Sequence, residues 1–167
     1  MRLVLLAIFL SLALAGCRTA VQTEAAPQTV NANKPRTPDA VYQLRQHLVG
    51  AWYGDQRTTH GGRRRWIMRR AADGTFRVSF HTVDPVEGNY DETEVGVWGV
   101  SGRYLITLTQ GWARPDGTVE ASPSQSPYFW DLYEVLSLTN DEFSCLSIET
   151  GDRFQSRRVA DDFTLPE

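Results

Sequence analysis

Leu48-Val49-Gly50-Ala51-Trp52-Tyr53 is where this chain changes its period, and its reading decides the fold. Before it, Thr37-Pro38-Asp39 offers a capping hydroxyl, a proline at the first helical position and an acid in the first turn. Val41, Leu44 and Leu48 then recur at helical spacing and Gly50 supplies the stop, so the spacing predicts a helix over about 38–48 with one face to bury. After Trp52 the alternation has the two-residue period of strands.

Strand-like runs lie at about 51–58, 63–70, 75–83, 93–100, 103–110, 128–138, 142–148 and 152–159. Turn chemistry separates most of them: Gly61-Gly62, Asp73-Gly74, Ser101-Gly102, Asn140-Asp141 and Thr150-Gly151-Asp152. Two connections are longer, an acidic 84–92 segment and a Pro-rich 111–127 segment, and long loops on a β scaffold are where binding residues tend to sit. Short antiparallel strands joined by tight turns favour a meander, and eight strands suffice to close a barrel without edges. The expectation is an all-β domain, a small antiparallel eight-stranded meander barrel preceded by one short helix, with a sandwich as the alternative.

Within the runs, Phe76, Val78 and Phe80 share one face, opposite Arg77, Ser79 and His81. The 128–138 run is apolar on both faces, which suits a strand with barrel interior on one side and the 38–48 helix on the other. Arg57, Arg63, Arg64, Arg65, Arg69, Arg70 and Arg77 form a basic tract, followed by Asp84, Glu87, Asp91, Glu92 and Glu94 as an acidic one. Cross-strand pairing of the two tracts is the expectation. The formal net charge of -3, in a chain expected to be exported, argues against a nucleic-acid partner.

The N-terminus carries an address. Arg2 gives a positive n-region, Leu3 to Leu14 an apolar run too short to span a bilayer, and Leu14-Ala15-Gly16-Cys17 a small-residue cleavage site ending in cysteine. This resembles the lipobox of bacterial lipoproteins. The resemblance implies a signal peptide over 1–16, acylation of Cys17, and attachment to the membrane through that lipid; Arg18, in place of an acid, favours the outer membrane and its periplasmic face. Residues 17–36 are Ala, Thr, Gln, Asn and Pro with almost no bulky apolar side chain, a composition that predicts a disordered tether, leaving 37–167 as the domain.

The helix leading into Gly50-Ala51-Trp52, the eight-strand meander and an arginine in the last strand, Arg157 or Arg158, resemble the lipocalin-like pattern. The resemblance implies that Trp52 packs at the barrel base with that arginine over its ring, a cation–π contact that ties the first strand to the last. It also implies a small apolar or amphipathic ligand in the barrel mouth, with Trp66, Phe76, Phe80, Trp112 and Trp130 as candidate lining. Ser101-Gly102-Arg103-Tyr104 and Thr109-Gln110-Gly111 are faintly similar to the loop motifs of membrane-bound c-type lysozyme inhibitors. That similarity gives the rival reading, a periplasmic protein-binding module such as an inhibitor of a cell-wall enzyme, acting through 84–92 and 111–127.

No catalytic constellation emerges, so the expectation is a non-enzymatic protein without a cofactor. With Cys17 lipidated, Cys145 has no disulfide partner and reads as a buried thiol. His47, His60 and His81 have no metal-ligand spacing; His60, His81 and Asp84 can meet only across a hairpin. Asp91, Glu92 and Glu94 read as solvated acids sooner than as an acid–base pair.

Overall fold

The computed structural model describes residues 37–123, 126 and 129–166. The expected signal peptide, Cys17 and the expected tether lie outside the described residues. Helix α1 (Pro38–Leu48) is followed by nine strands: β1 (Gly50–Arg57), β2 (Arg63–Arg70), β3 (Thr75–Asp84), β4 (Gly88–Ser101), β5 (Tyr104–Ala113), β6 (Val119–Ala121), β7 (Trp130–Leu138), β8 (Glu142–Ser147) and β9 (Arg153–Val159). They form a closed antiparallel barrel of eight strands with one extra, in the order β4-β3-β2-β1-β9-β8-β7-β5, closed by β5 against β4. The extra strand is β6. β5 bonds to β7 over Tyr104–Leu108 and to β6 over Gly111–Ala113, so the chain doubles back once before resuming the meander.

The helix forms for the reasons its sequence gives: the Thr37 hydroxyl accepts from the Ala40 amide at 3.3 Å, and Pro38 and Asp39 fill the first turn. Its buried residues, Leu44 and Leu48, do not cover the outside of β7. They close one end of the barrel, packed with Trp52, Phe76, Trp98, Leu138 and Phe143. Each such side chain removed from water stabilises the fold by about 1.5–3 kcal/mol. That leaves the outward face of β7 uncovered, and Trp130 and Leu132 are exposed there.

Two expected loops are largely strand. β3 runs to Asp84 and β4 begins at Gly88, so most of the 84–92 segment pairs in register, Thr82 with Tyr90 and Phe80 with Glu92. The acids of this segment alternate faces because they are on a strand. Part of 111–127 is likewise the β5–β6 hairpin, turning at Arg114–Thr118, where the Gly117 amide donates to Arg114 O. Among the described residues no salt bridge joins an arginine of the basic tract to an acid of the acidic one; most members of the two tracts stand on β2 and β4, with β3 between them. Arg63 and Arg65 instead meet Asp55 of β1, the Arg63 guanidinium donating to both carboxylate oxygens at 2.6 and 2.7 Å.

Candidate functional site

Cross-strand register fixes what faces inward. Gly54 opposes Trp66, Trp66 opposes Phe80 and Gly54 also opposes Ser156, so these side chains share the barrel interior. The interior is solid only at the helix end. Above that plug lies a cavity of about 340 Å³ open at the opposite rim, a volume within the range of small-molecule sites.

The cavity has three levels. At its base Arg70, Phe143, Leu105 and Cys145 close it. The middle is aromatic and apolar: Trp66, Met68, Val78, Phe80, Tyr133 and Phe154. Phe154 meets Trp66 and Tyr133 edge to face, each at 6.0 Å between ring centroids, so a chain of rings crosses from β2 through β9 to β7. The rim is polar, with Gln56, Thr58, His60, Arg64, Asp84 and Tyr90. Trp66 has its place because Gly54 opposite has no side chain; a Cβ there would lie 1.9 Å from the indole.

Asp84 builds the rim. Its carboxylate accepts from the Thr58 hydroxyl and from the amides of Val86 and Glu87 at 2.8 and 3.0 Å, with His60 Nδ1 at 3.3 Å. Thr58 in turn accepts from the Gly62 amide at 2.9 Å. One buried carboxylate thus latches the β1–β2 loop to the β3–β4 turn. These donors, Thr58 foremost, hold the Asp84 carboxyl down at about 2.

The base is electrostatically different. Arg70 is 6% exposed, and its Nε and Nη1 have no hydrogen-bond partner. Its guanidinium lies 5.4 Å from the Phe143 ring and 6.0 Å from the Trp98 ring. Burial pulls it down to about 10. The neighbours that influence it are Cys145 and Tyr133; burial pushes the thiol up to about 12 and the phenol also upward, so neither supplies a countercharge at neutral pH.

Of the five residues expected to line a ligand site, Trp66 and Phe80 face the cavity. Phe76 packs beneath it in the core. Trp112 lies on β5 edge to face with Phe129 at 5.5 Å, away from the lining, and Trp130 stands on the outer wall, 52% exposed. Trp130 points out because its register partner Leu108 faces out, and the adjacent Asp131 takes the inward position opposite Thr107. At the closed end, Arg158 and not Arg157 lies over Trp52; Arg157 faces the outer side over Tyr53 and Phe163. Gly50 has φ +110° where the helix gives way to β1.

His60 reaches Asp84, but His81 turns outward to Asp91 at 2.7 Å, and no group of three metal-ligating side chains occurs among the described residues. Inward-facing Glu94 accepts from the Thr109 hydroxyl at 3.0 Å and Asp131 from Thr107 at 3.2 Å, and burial raises both carboxyls above their ordinary range.

No protein-family model and no curated protein matches this chain. The reading of the site therefore rests on its geometry.

Interior residues that sequence reasoning missed include Met68, Arg70, Tyr133 and Phe154. The basic tract reads as one run, yet Arg64, Trp66, Met68 and Arg70 alternate with Arg63, Arg65, Ile67 and Arg69. The shared parity of two arginines with Trp66 and Met68 was the available signal.

Proposed function

We propose that this protein is a lipoprotein, anchored through Cys17 in the outer membrane and facing the periplasm, whose barrel carries a small apolar or amphipathic ligand. The observation that carries the ligand half is the open cavity of about 340 Å³ above the helix plug, walled by Trp66, Met68, Phe80 and Phe154. The placement of Trp52 beneath Arg158 supports a lipocalin-like barrel. The sequence Leu14-Ala15-Gly16-Cys17 supports the anchor. No reaction is assigned to the protein.

Two experiments test the two halves. Intact-mass analysis of the membrane-extracted protein should give a diacylglyceryl adduct that Cys17→Ser abolishes; an unmodified Cys17 in the membrane fraction would refute the anchor. For the carrier, an environment-sensitive apolar fluorophore should bind the chain with micromolar affinity and lose that binding when Val78→Trp fills the cavity. Equal binding by the filled variant would refute it.

The alternative, a module that binds a periplasmic protein, is favoured by a different observation. Val97, Trp130, Leu132 and Ile148 are all exposed, at 37%, 52%, 38% and 47%; Val97 of β4 and Trp130 of β7 flank Leu108 of β5 in register, and Ile148, in the turn after β8, donates its amide to Leu132 O at 2.9 Å. On this reading Leu132→Glu would remove partner binding while leaving the cavity intact.

A further inference from the structure

The interior of this barrel is not electrically balanced. Three of its carboxylates have hydrogen-bond partners: Asp84 is latched by Thr58 and two amides, Glu94 by Thr109 and Asp131 by Thr107. Arg64, near enough to Glu94 to pull its carboxyl downward against burial, and Arg70 at the base each keep unmatched N–H groups. Among the described residues, the buried side-chain polar atoms without a hydrogen-bond partner are Arg64 Nε, Arg70 Nε and Nη1, and Thr82 Oγ1, and all three of these residues line the one cavity.

A buried donor with no acceptor costs stability, and a buried cation with no counterion costs more. Structural economy would put Met or Leu at the base of such a barrel. Arg70 lies instead at the end of an apolar passage with Nε and Nη1 unmatched and its guanidinium 5.4 and 6.0 Å from the Phe143 and Trp98 rings, so that an anion entering from above would find two donors waiting. Arg64 and Thr82 face each other across β2 and β3 nearer the rim, and Arg64 is held 4.0 Å over Phe80. Six residues of strand, roughly 20 Å, separate the two arginines, with Trp66 and Met68 between them. From base to rim the lining therefore reads a lone cation, an apolar band, and then a mixed rim where Arg64 stands among Asp84, Glu87 and Asp152.

We propose that the barrel selects anionic amphiphiles, with a carboxylate headgroup seated on Arg70 at the closed base and an apolar tail lying along Met68, Val78, Phe80 and Phe154 towards the rim. The inference rests on the carrier reading and deepens it by naming the ligand's charge and its direction. Head-down entry follows from the depth of Arg70: a ligand with its head at the rim would press its tail onto an uncompensated charge. Cationic amphiphiles are disfavoured for the same reason, since they would bring like charge to the base.

The test uses three probes of one tail length, dodecanoate, dodecanol and dodecylammonium, titrated calorimetrically at neutral pH into the chain beginning at Arg18, which keeps every described residue. Dodecanoate should bind about 10- to 100-fold more tightly than dodecanol, the range set by hydrogen bonds to a charged group, and dodecylammonium should not bind measurably. In Arg70→Met the advantage of dodecanoate over dodecanol should collapse to within about threefold, while Arg64→Gln should retain most of it. Should Arg70→Met not fold, the comparison of the three probes on the native chain decides alone. Equal affinity for dodecanoate and dodecanol would overturn the anion site and leave the carrier standing; loss of the preference in Arg64→Gln but not in Arg70→Met would overturn the head-down orientation. Failure of every probe to bind would refute the carrier reading and this inference with it.

Discussion

Arg158 of β9 lies 4.2 Å over the ring of Trp52 of β1, and each of its three guanidinium nitrogens donates to a main-chain carbonyl: Val49 at 2.9 Å, His47 at 2.6 Å and Asn140 at 2.6 Å. Trp52 is fully buried and donates its indole N–H to Leu48 O at 3.1 Å. Two residues thus bind the end of the helix, the first strand and the last into one joint. The Arg158 cation also sits against the carbonyl end of the helix, where positive charge is favoured. Arg158→Gln removes the cation–π contact and the charge-assisted bonds and should cost about 2–4 kcal/mol in urea unfolding. Arg158→Lys keeps the charge but not the planar fork and should recover less than half of that loss.

A second dependence is steric. With an indole where its own side chain would be, Gly54 should not tolerate even a methyl group. Gly54→Ala should force Trp66 into the cavity, cost about 1–3 kcal/mol and abolish binding of the apolar fluorophore. Pairing it with Trp66→Leu should restore stability, so the double variant should be more stable than the sum of the two single losses predicts. Additive losses in urea melts would show that the close approach does not matter.

The Asp84 latch makes the rim sensitive to acid. Its carboxyl titrates at about 2 in the folded barrel against an ordinary 3.8, so its contribution is complete above 3.8 and is lost as pH falls towards 2. Asp84→Asn cannot titrate. Thermal melts should therefore show the native protein losing stability more steeply than Asp84→Asn between pH 4 and 2. Parallel curves would contradict the latch.

Arg70 carries the opposite sign. Its folded value of about 10 lies below its ordinary 12.5, so the empty barrel disfavours the charged form, and the cost is present at neutral pH and fades as pH rises through 10. Replacing the guanidinium by an unbranched apolar side chain should stabilise the ligand-free protein by about 1–3 kcal/mol, part of the charge cost being offset by the rings beneath it. Urea unfolding of Arg70→Met without added ligand checks this; a less stable variant would show that the arginine serves packing alone.

Much of the architecture was legible because it is written locally. Thr37-Pro38-Asp39, Asp73-Gly74 and Thr150-Gly151-Asp152 specify helix start and turns by backbone chemistry that acts within a few residues, and α1, the β2–β3 turn and the β8–β9 turn form there. The interior was less legible because facing is decided by pairing across the barrel. Trp130 reads as lining from the sequence, but the register of β7 against β5 sends it out and brings Tyr133, of the opposite parity, in. The acidic 84–92 segment read as a loop because charge masked its alternation, although Phe80 opposite Glu92 and Thr82 opposite Tyr90 continue the ladder of β3 and β4. Arg70 was hidden by its neighbours in the sequence, where a run of arginines resembles a solvated face.

The central claim is a hollow barrel that carries a small amphiphile. It is tested most directly by native mass spectrometry of the chain from Arg18, exported behind a cleavable signal peptide that needs no lipidated cysteine and purified from the periplasm without detergent. The account predicts a reproducible non-covalent adduct of one small acidic molecule per chain, absent from Val78→Trp. A bare mass for the native chain, together with no uptake of dodecanoate on titration, would contradict it.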